Sequence, residues 1–214
     1  MISVRLVTED DVPALVELLL RSREHLAPWE PLRDGSFFTE ASQRASVAAL
    51  LERHTAGTHV PLVIVDDGEV VGRITVNDVV RGAFQSASIG YWVGTGHTGR
   101  GVATAAVAAV VRLAFGELGL HRLQADTLLH NTASQAVLAR NGFVRIGTAP
   151  RYLEIAGRWQ DHHLHQLLHE PPEPPEPPAV VVPSGGAAMM APLDGPPTKE
   201  SPDDRSHRPH HLPR

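Results

Sequence analysis

Apolar residues in the first 169 positions recur at two spacings, one typical of helices and one typical of strands. Val12, Leu15, Val16 and Leu19 recur at helical spacing, which predicts an amphipathic helix over 9–24. Alternating or short continuous apolar runs predict strands, and glycine-containing turns separate several of them. These patterns together predict a chain in which helices and strands are interspersed.

The predicted order of elements is β-α-α-β-β-β-α-β-α-β-β. This order indicates an α/β fold with a mixed, mostly antiparallel sheet flanked by helices. The predicted helices cover 9–24, 39–56, 102–118 and 131–142, and the predicted strands cover 2–7, 61–67, 69–80, 86–93, 122–129, 143–147 and 162–168.

Proline marks a change of composition near the C-terminal end of the sequence. Thirteen of the 18 prolines lie in 170–214, which opens with EPPEPPEPP. The apolar AVVV at 179–182 is too short to build a core. We therefore predict one domain over 1–169 and a proline-rich, disordered tail over 170–214. A docking motif for a partner and a solvated tail both stay open for this segment.

Composition excludes several classes of protein. The chain has no cysteine, which excludes disulfides, thiolate zinc sites and a cysteine nucleophile. The formal net charge is −5, but 1–169 holds 17 acidic and 15 basic residues, and such a balance argues against nucleic-acid binding. No apolar run approaches the roughly 18 residues of a membrane span, and MISVRLVTED does not resemble a secretory signal. We expect a cytoplasmic protein without membrane contact; its oligomeric state stays open.

A glycine-rich loop joins a predicted strand to a predicted helix, in the stretch GYWVGTGHTGRGVAT at 90–104. Glycines let main-chain N–H groups converge, and the helix N-terminus adds unpaired donors and the positive end of its dipole. This combination suits a pyrophosphate, and Arg100 can add a positive charge. The Walker-type Gly-Lys-Ser/Thr and the context of a Rossmann fingerprint are both missing. On the residues alone, a mobile loop before a well-capped helix stays open.

The segment TGRGVA at 98–103 resembles the acetyl-CoA loop of the GCN5-related N-acetyltransferases (GNAT). Gly101 and Ala103 fit the family pattern, whereas Thr98 stands where the family prefers Arg or Gln. NTAS at 131–134 and NGF at 141–143 resemble the second half of the family site. Further segments look like the RimJ-type branch, the ribosomal-protein-alanine N-acetyltransferases: HLAPWEPLRD (25–34), NDVVRGAF (77–84), IGYWV (89–93), HRLQA (121–125) and RYLEIAGRWQDH (151–162).

This resemblance implies a direct acetyl transfer from acetyl-CoA, without a metal, to a protein N-terminal α-amine. The implied acceptor is the N-terminal alanine of a small-subunit ribosomal protein. The implied cofactor-binding residues are Tyr91, Trp92, Val93, Thr98, Gly99, Arg100, Gly101, Val102, Ala103, Thr104, Asn131 and Ser134. Two alternatives stay open: a small-molecule amine acetyltransferase, and a non-catalytic CoA-binding or ribosome-assembly factor.

The resemblance also implies how the catalytic tasks are divided. A main-chain N–H within 91–93 polarises the thioester carbonyl, and the side chains of Tyr91 and Trp92 serve packing. Many relatives protonate the leaving thiolate with a tyrosine seven residues after the asparagine, where this chain has Leu138. The RimJ-type branch implies Ser134 as the proton donor instead; an ordinary polar residue in the first turn of a helix is the alternative.

Glu30, in the Pro-Trp-Glu-Pro segment, is the candidate that holds or deprotonates the acceptor amine. An exposed loop carboxylate without a catalytic role is the alternative, and Glu154 and Asp161 are weaker candidates. Four histidines cluster at 162–169, but no acidic or histidine partner stands at ligand spacing, so we expect no metal site there.

Overall fold

The computed structural model describes residues 1–169, and the predicted tail over 170–214 lies outside them. The observed order of strands and α-helices is the predicted β-α-α-β-β-β-α-β-α-β-β. Short 3-10 or π-helical turns lie at 9–11, 35–38 and 113–117. The strands are β1 (Ile2–Leu6), β2 (Val60–Asp66), β3 (Glu69–Val80), β4 (Ser86–Val93), β5 (Arg122–Leu128), β6 (Val144–Ile155) and β7 (Arg158–Leu168). The helices are α1 (Val12–Leu26), α2 (Glu40–Thr55), α3 (Val102–Arg112) and α4 (Thr132–Arg140).

The seven strands form one sheet in the order β1-β2-β3-β4-β5-β7-β6. All neighbours are antiparallel except β4 and β5, which are parallel and pair only where Ser86–Ser88 face Arg122–Gln124. Beyond Ser88 the two strands diverge, so the second half of β4 has a strand neighbour on one side only. This gap in the middle of the sheet positions the candidate site.

Helices cover both faces of the sheet. On one face, α3 packs its apolar side, including Ala106, Val107 and Val110, on the central strands. On the other face, α1 packs Val12 and Leu15 against the sheet, which confirms the helix that the apolar spacing predicted. Within the part of the chain that the structure describes, no helix is long and apolar enough to cross a membrane.

The last two strands are longer than the predicted ones. The sequence pattern predicted strands at 143–147 and 162–168, whereas β6 and β7 form one long hairpin over 144–168. Ala156 and Gly157 both have positive φ values, 48° and 75°, and make the turn. The prediction was too short because most of β6 is exposed and lacks the apolar alternation that marks a half-buried strand. Backbone pairing with β7 holds it instead.

Candidate active site

A cleft with a volume of about 630 Å³ opens where β4 and β5 diverge. Its walls come from the end of α1 and the residues after it, the second half of β4, the glycine-rich loop, the first turn of α3 and one side of α4 along its whole length. The structure thereby brings together most of the residues predicted to bind acetyl-CoA. The cleft is lined by His25, Leu26, Trp29, Tyr91, Trp92, Val93, His97, Thr98, Gly99, Gly101, Val102, Ala103, Thr104, Asn131, Ala133, Ser134, Ala136, Val137 and Arg140.

The edge of β4 presents backbone donors to this cleft. The N–H of Gly94 donates to the carbonyl of Val71 at 2.9 Å, and this bond shows which backbone N–H groups at the end of β4 point toward β3. Because N–H groups alternate sides along a strand, those of Tyr91 and Val93 point away from β3. On that side β5 has already diverged, so the two donors face the cleft. Their placement suits an oxygen on which negative charge develops.

The glycine-rich loop and the start of α3 form a row of backbone donors. Among residues 1–169, no N–H group from Thr98 to Thr104 donates a hydrogen bond of good geometry to a backbone carbonyl, although residues 98–101 form turns. Gly99 and Gly101 lie in the left-handed region, with φ values of 72° and 80°, and a Cβ atom at either position would meet no atom within 4 Å. The open row of donors, together with the dipole of α3, can hold a doubly charged phosphate group.

Arg100 is the predicted loop residue that the structure does not bring to the cleft. Its side chain is 60 % exposed and points toward Asp66, with 3.6 Å between Nη2 and Oδ2. The neighbouring Thr98, Gly99 and Gly101 all line the cleft, whereas Arg100 does not. The anion cradle of this loop is therefore built from backbone N–H groups and not from the guanidinium.

The first turn of α4 carries a hydroxyl pair. Asn131 caps the helix, since its Oδ1 accepts a hydrogen bond from the N–H of Ser134 at 3.1 Å. The Oγ of Ser134 lies 2.8 Å from the Oη of Tyr91. Burial raises the pKa of Tyr91 to about 12, so the phenol stays protonated at neutral pH. When Tyr91 donates to Ser134, the proton of the serine hydroxyl is left to point into the cleft.

The contact between Tyr91 and Ser134 is the part of the site that sequence reasoning missed. The two residues are 43 positions apart, and Tyr91 was predicted to serve packing. Period-two alternation placed Tyr91 on the same strand face as Ile89 and Val93, which pack toward α3. That signal indicates a face but no partner. Leu138, where many relatives have a tyrosine, is fully buried in the same core.

Glu30 does not line the cleft. It lines a second cavity, of about 240 Å³, which the structure places between α1, α2, β3 and β4. Burial raises the pKa of the Glu30 carboxyl, and the nearby Arg33 and Arg73 partly offset this. Trp92 lines both cavities and thus connects them. A raised pKa suits a base, but Glu30 lies between two guanidinium groups, and its catalytic role stays a prediction.

The other candidates lie away from the cleft. Asp161 accepts a hydrogen bond from the N–H of Arg151 at 2.9 Å, within the β6–β7 hairpin, and Glu154 is exposed on β6. The rings of His163 and His165 lie 6.4 Å apart. Among residues 1–169, no three His, Cys, Asp or Glu side chains are grouped so that they could hold a metal ion.

Comparisons with known proteins agree with this geometry. The model of the acetyltransferase (GNAT) domain matches residues 2–144. The [ribosomal protein uS5]-alanine N-acetyltransferase of Escherichia coli is 35% identical over 166 residues, which are 77% of this chain and 86% of that protein.

Two solved structures share the fold at moderate sequence identity. Mycobacterium smegmatis RimJ in complex with CoA-disulfide has a TM-score of 0.76 at 39% identity, and covers 78% of this chain and 81% of its own. The ribosomal-protein-S5-alanine acetyltransferase from Vibrio fischeri has a TM-score of 0.74 at 32% identity, and covers 78% of this chain and 92% of its own.

Proposed function

Because this chain belongs to the acetyltransferase (GNAT) domain family, we propose that it transfers the acetyl group of acetyl-CoA to the α-amine of a protein N-terminus. The first candidate acceptor is the N-terminal alanine of a small-subunit ribosomal protein. One observation carries the proposal: a single cleft holds the row of backbone donors from Thr98 to Thr104, the open edge of β4 and the hydroxyl pair of Tyr91 and Ser134.

Acetyl-CoA matches the cleft in charge and in shape. Its pyrophosphate would bind the N–H groups of 98–104, where Gly99 and Gly101 let it approach the backbone closely. Its pantetheine arm would run along the open edge of β4 toward the first turn of α4. This places the thioester between the N–H groups of Tyr91 and Val93 and the hydroxyl of Ser134.

The reaction needs three contributions from these residues. The N–H groups of Tyr91 and Val93 stabilise the charge that develops on the carbonyl oxygen. The acceptor nitrogen forms a bond to the carbonyl carbon, the carbon–sulfur bond breaks, and the nitrogen gives up one proton while the sulfur gains one. Ser134 donates to the departing sulfur, and Tyr91 supports it by donating to the serine oxygen.

The amine must be neutral when it attacks. An α-amine has a pKa of about 7.7–8.0, against about 10.4 for the lysine ammonium, so a useful fraction of α-amine is already neutral near pH 7. A water molecule or a weak base then suffices to take up the remaining proton. This favours an N-terminal acceptor, since among residues 1–169 the lining of the cleft includes no carboxylate, and its histidines are His25 and His97.

The acceptor preference rests on the relatives. The proteins from E. coli and V. fischeri are both named for an alanine of the small-subunit protein that they acetylate. At 35% and 32% identity such a preference is an inference about this chain. A matched peptide panel tests it directly.

The test is an acetylation assay with the full chain, read by intact mass. Each reaction holds acetyl-CoA and one substrate: a peptide that starts with alanine, the same peptide starting with serine, the same peptide with a blocked N-terminus and an internal lysine, or a free polyamine. We expect the mass of one acetyl group on the alanine peptide and none on the blocked peptide. Turnover of the polyamine alone would favour the small-molecule enzyme. CoA binding without turnover of any amine would favour the non-catalytic alternative.

Replacing Tyr91 by Phe tests the hydroxyl pair. The variant keeps the ring in the core but loses the donor to Ser134, so we expect kcat to fall by about tenfold, in line with the loss of one part of a proton-transfer pair. The dissociation constant for CoA should change by less than about twofold, because the phenol acts on the leaving group and not on the pyrophosphate. A stopped assay with the alanine peptide, together with calorimetric titration of CoA, measures both. An unchanged kcat would leave Tyr91 with a packing role only.

A further inference from the structure

The second cavity contains a half-buried arginine, Arg73, whose guanidinium forms no ion pair with a residue of the described range 1–169. Arg73 lies on β3 and lines this cavity. Among residues 1–169, its guanidinium makes no ion pair within 4.0 Å and no side-chain hydrogen bond, although Glu30 is near enough to influence its pKa, which burial lowers. Glu30 pairs instead with Arg33, at 3.9 Å between Oε2 and Nε. One carboxylate therefore faces two guanidinium groups, and the cavity carries one uncompensated positive charge.

Withdrawing a guanidinium even partly from water costs free energy unless hydrogen-bond acceptors replace the water. The group that matches it best is a carboxylate, because the two parallel N–H donors of the guanidinium fit two carboxylate oxygens. The rest of the lining can complete such a contact, since Ser46 and Thr75 supply hydroxyls and Gly90 leaves the floor without a side chain. The cavity thus has the chemistry of a site for a small anionic group.

The place of the cavity connects it to the acceptor. Arg73 and Trp92 are register partners across β3 and β4. Trp92 stands between Tyr91 and Val93, whose N–H groups face the cleft. The glycine-rich loop does not line the second cavity, so a group bound beside Arg73 lies apart from the cradle for the pyrophosphate and close to the reacting edge of β4. Such a position suits a group of the molecule that brings the amine.

We propose that Arg73 binds a carboxylate of the acceptor and makes this enzyme selective for acceptors that carry one near the reacting amine. The proposal rests on the proposed acetyl transfer. In a peptide the carboxylate would be an acidic side chain close behind the N-terminal residue. In an amino-acid-sized acceptor it would be the α-carboxylate. Both sources offer the same chemistry to Arg73, and the experiment distinguishes them.

The experiment compares acidic and neutral acceptors with the full chain. Alanine-starting peptides carry a single Glu at the second, third or fourth position, and matched peptides carry Gln there. We expect kcat/KM to be about tenfold higher for the acidic peptide at one of these positions, as for one charge-assisted hydrogen bond. A second pair, alanine and its amide, tests the α-carboxylate. Equal kcat/KM within every pair would overturn the proposal and leave the acetyl transfer standing.

Three variants assign the preference to this cavity. Arg73→Gln should reduce the ratio of acidic to neutral kcat/KM to about one, and Arg73→Lys should restore part of the ratio. Gly90→Val adds a side chain to the lining of the cavity, next to its register partner Thr75, and leaves residue 73 itself unchanged. A Cβ at position 90 would meet only the Nδ2 of Asn77, at 3.6 Å, so this variant should fold and also lose the preference. A ratio that survives both Arg73→Gln and Gly90→Val would place the carboxylate elsewhere and overturn the proposal.

A binding measurement keeps the proposal testable without turnover. The same peptides in N-acetylated form are titrated calorimetrically into the full chain saturated with CoA. We expect the acidic peptide to bind about tenfold tighter than its Gln counterpart, and Arg73→Gln to remove the difference. Such a difference in a chain that acetylates nothing would support the carboxylate site and contradict the proposed function, whereas equal affinities would contradict the site itself.

Discussion

The substitution Gly101→Asp is expected to weaken CoA binding by at least about a hundredfold. Gly101 is the N-cap of α3 and lies in the middle of the donor row over 98–104. A carboxylate there faces the position proposed for the pyrophosphate, and two unit charges about 4 Å apart repel by about 4 kcal/mol at an effective dielectric constant of about 20. Calorimetric titration with CoA measures the loss. The variant should fold, because a Cβ at this position meets no atom within 4 Å and Asp tolerates positive φ values.

Two control variants separate charge from bulk and from position. Gly101→Asn has nearly the shape of Gly101→Asp without its charge, so we expect it to lose much less affinity. Gly96→Asp adds the same charge to the same loop, at a glycine with a φ of 86° that does not line the cleft, and CoA should still bind it well. Normal CoA binding by Gly101→Asp, with thermal melting as a check on folding, would remove the donor row from the cofactor site.

The substitution Ser134→Ala should lower kcat by about thirtyfold. This is somewhat less than the factor of about a hundred or more that a positioned proton donor usually contributes. In the proposed arrangement this hydroxyl is the group on α4 that faces the departing sulfur. Its loss leaves the helix cap intact, because Asn131 bonds the backbone N–H of residue 134. The dissociation constant for CoA should stay within about twofold of the original value, since the effect belongs to the transition state. Steady-state rates with the alanine peptide give kcat.

Thr132→Ala is the matched control, because it removes a hydroxyl from the same helical turn outside the cleft. We expect it to keep its full rate. The double variant Tyr91→Phe with Ser134→Ala should be no slower than Ser134→Ala alone if, as proposed, Tyr91 acts through the serine. Additive losses would mean that the two hydroxyls act separately. A rate for Ser134→Ala equal to the original rate would take the serine out of the reaction.

Local patterns sufficed for most of the fold. The runs EVVGRITVNDVV and SASIGYWV predicted strands over 69–80 and 86–93, and the structure has them at those bounds. Their apolar residues repeat with the period of the buried face, so burial and periodicity indicate the same element. The β6–β7 hairpin shows the limit. Most residues of β6 are exposed, so no apolar pattern marks the strand up to the turn. The Ala-Gly turn also lacks the Asn-Gly or Asp-Gly signal that marks a tight hairpin.

The sequence by itself determined the glycine-rich loop, the helix that follows it and the family. These depend on residues adjacent in the chain: left-handed backbone conformations that favour glycine, and unpaired N–H groups that every helix N-terminus has. Only the tertiary structure decided that Arg100 turns to Asp66, that Tyr91 meets Ser134, and that Arg73 and Glu30 share a separate cavity. The alternation along a strand predicts on which face of the sheet a side chain lies. Which group it meets there depends on how distant segments pack, and no local spacing encodes that contact.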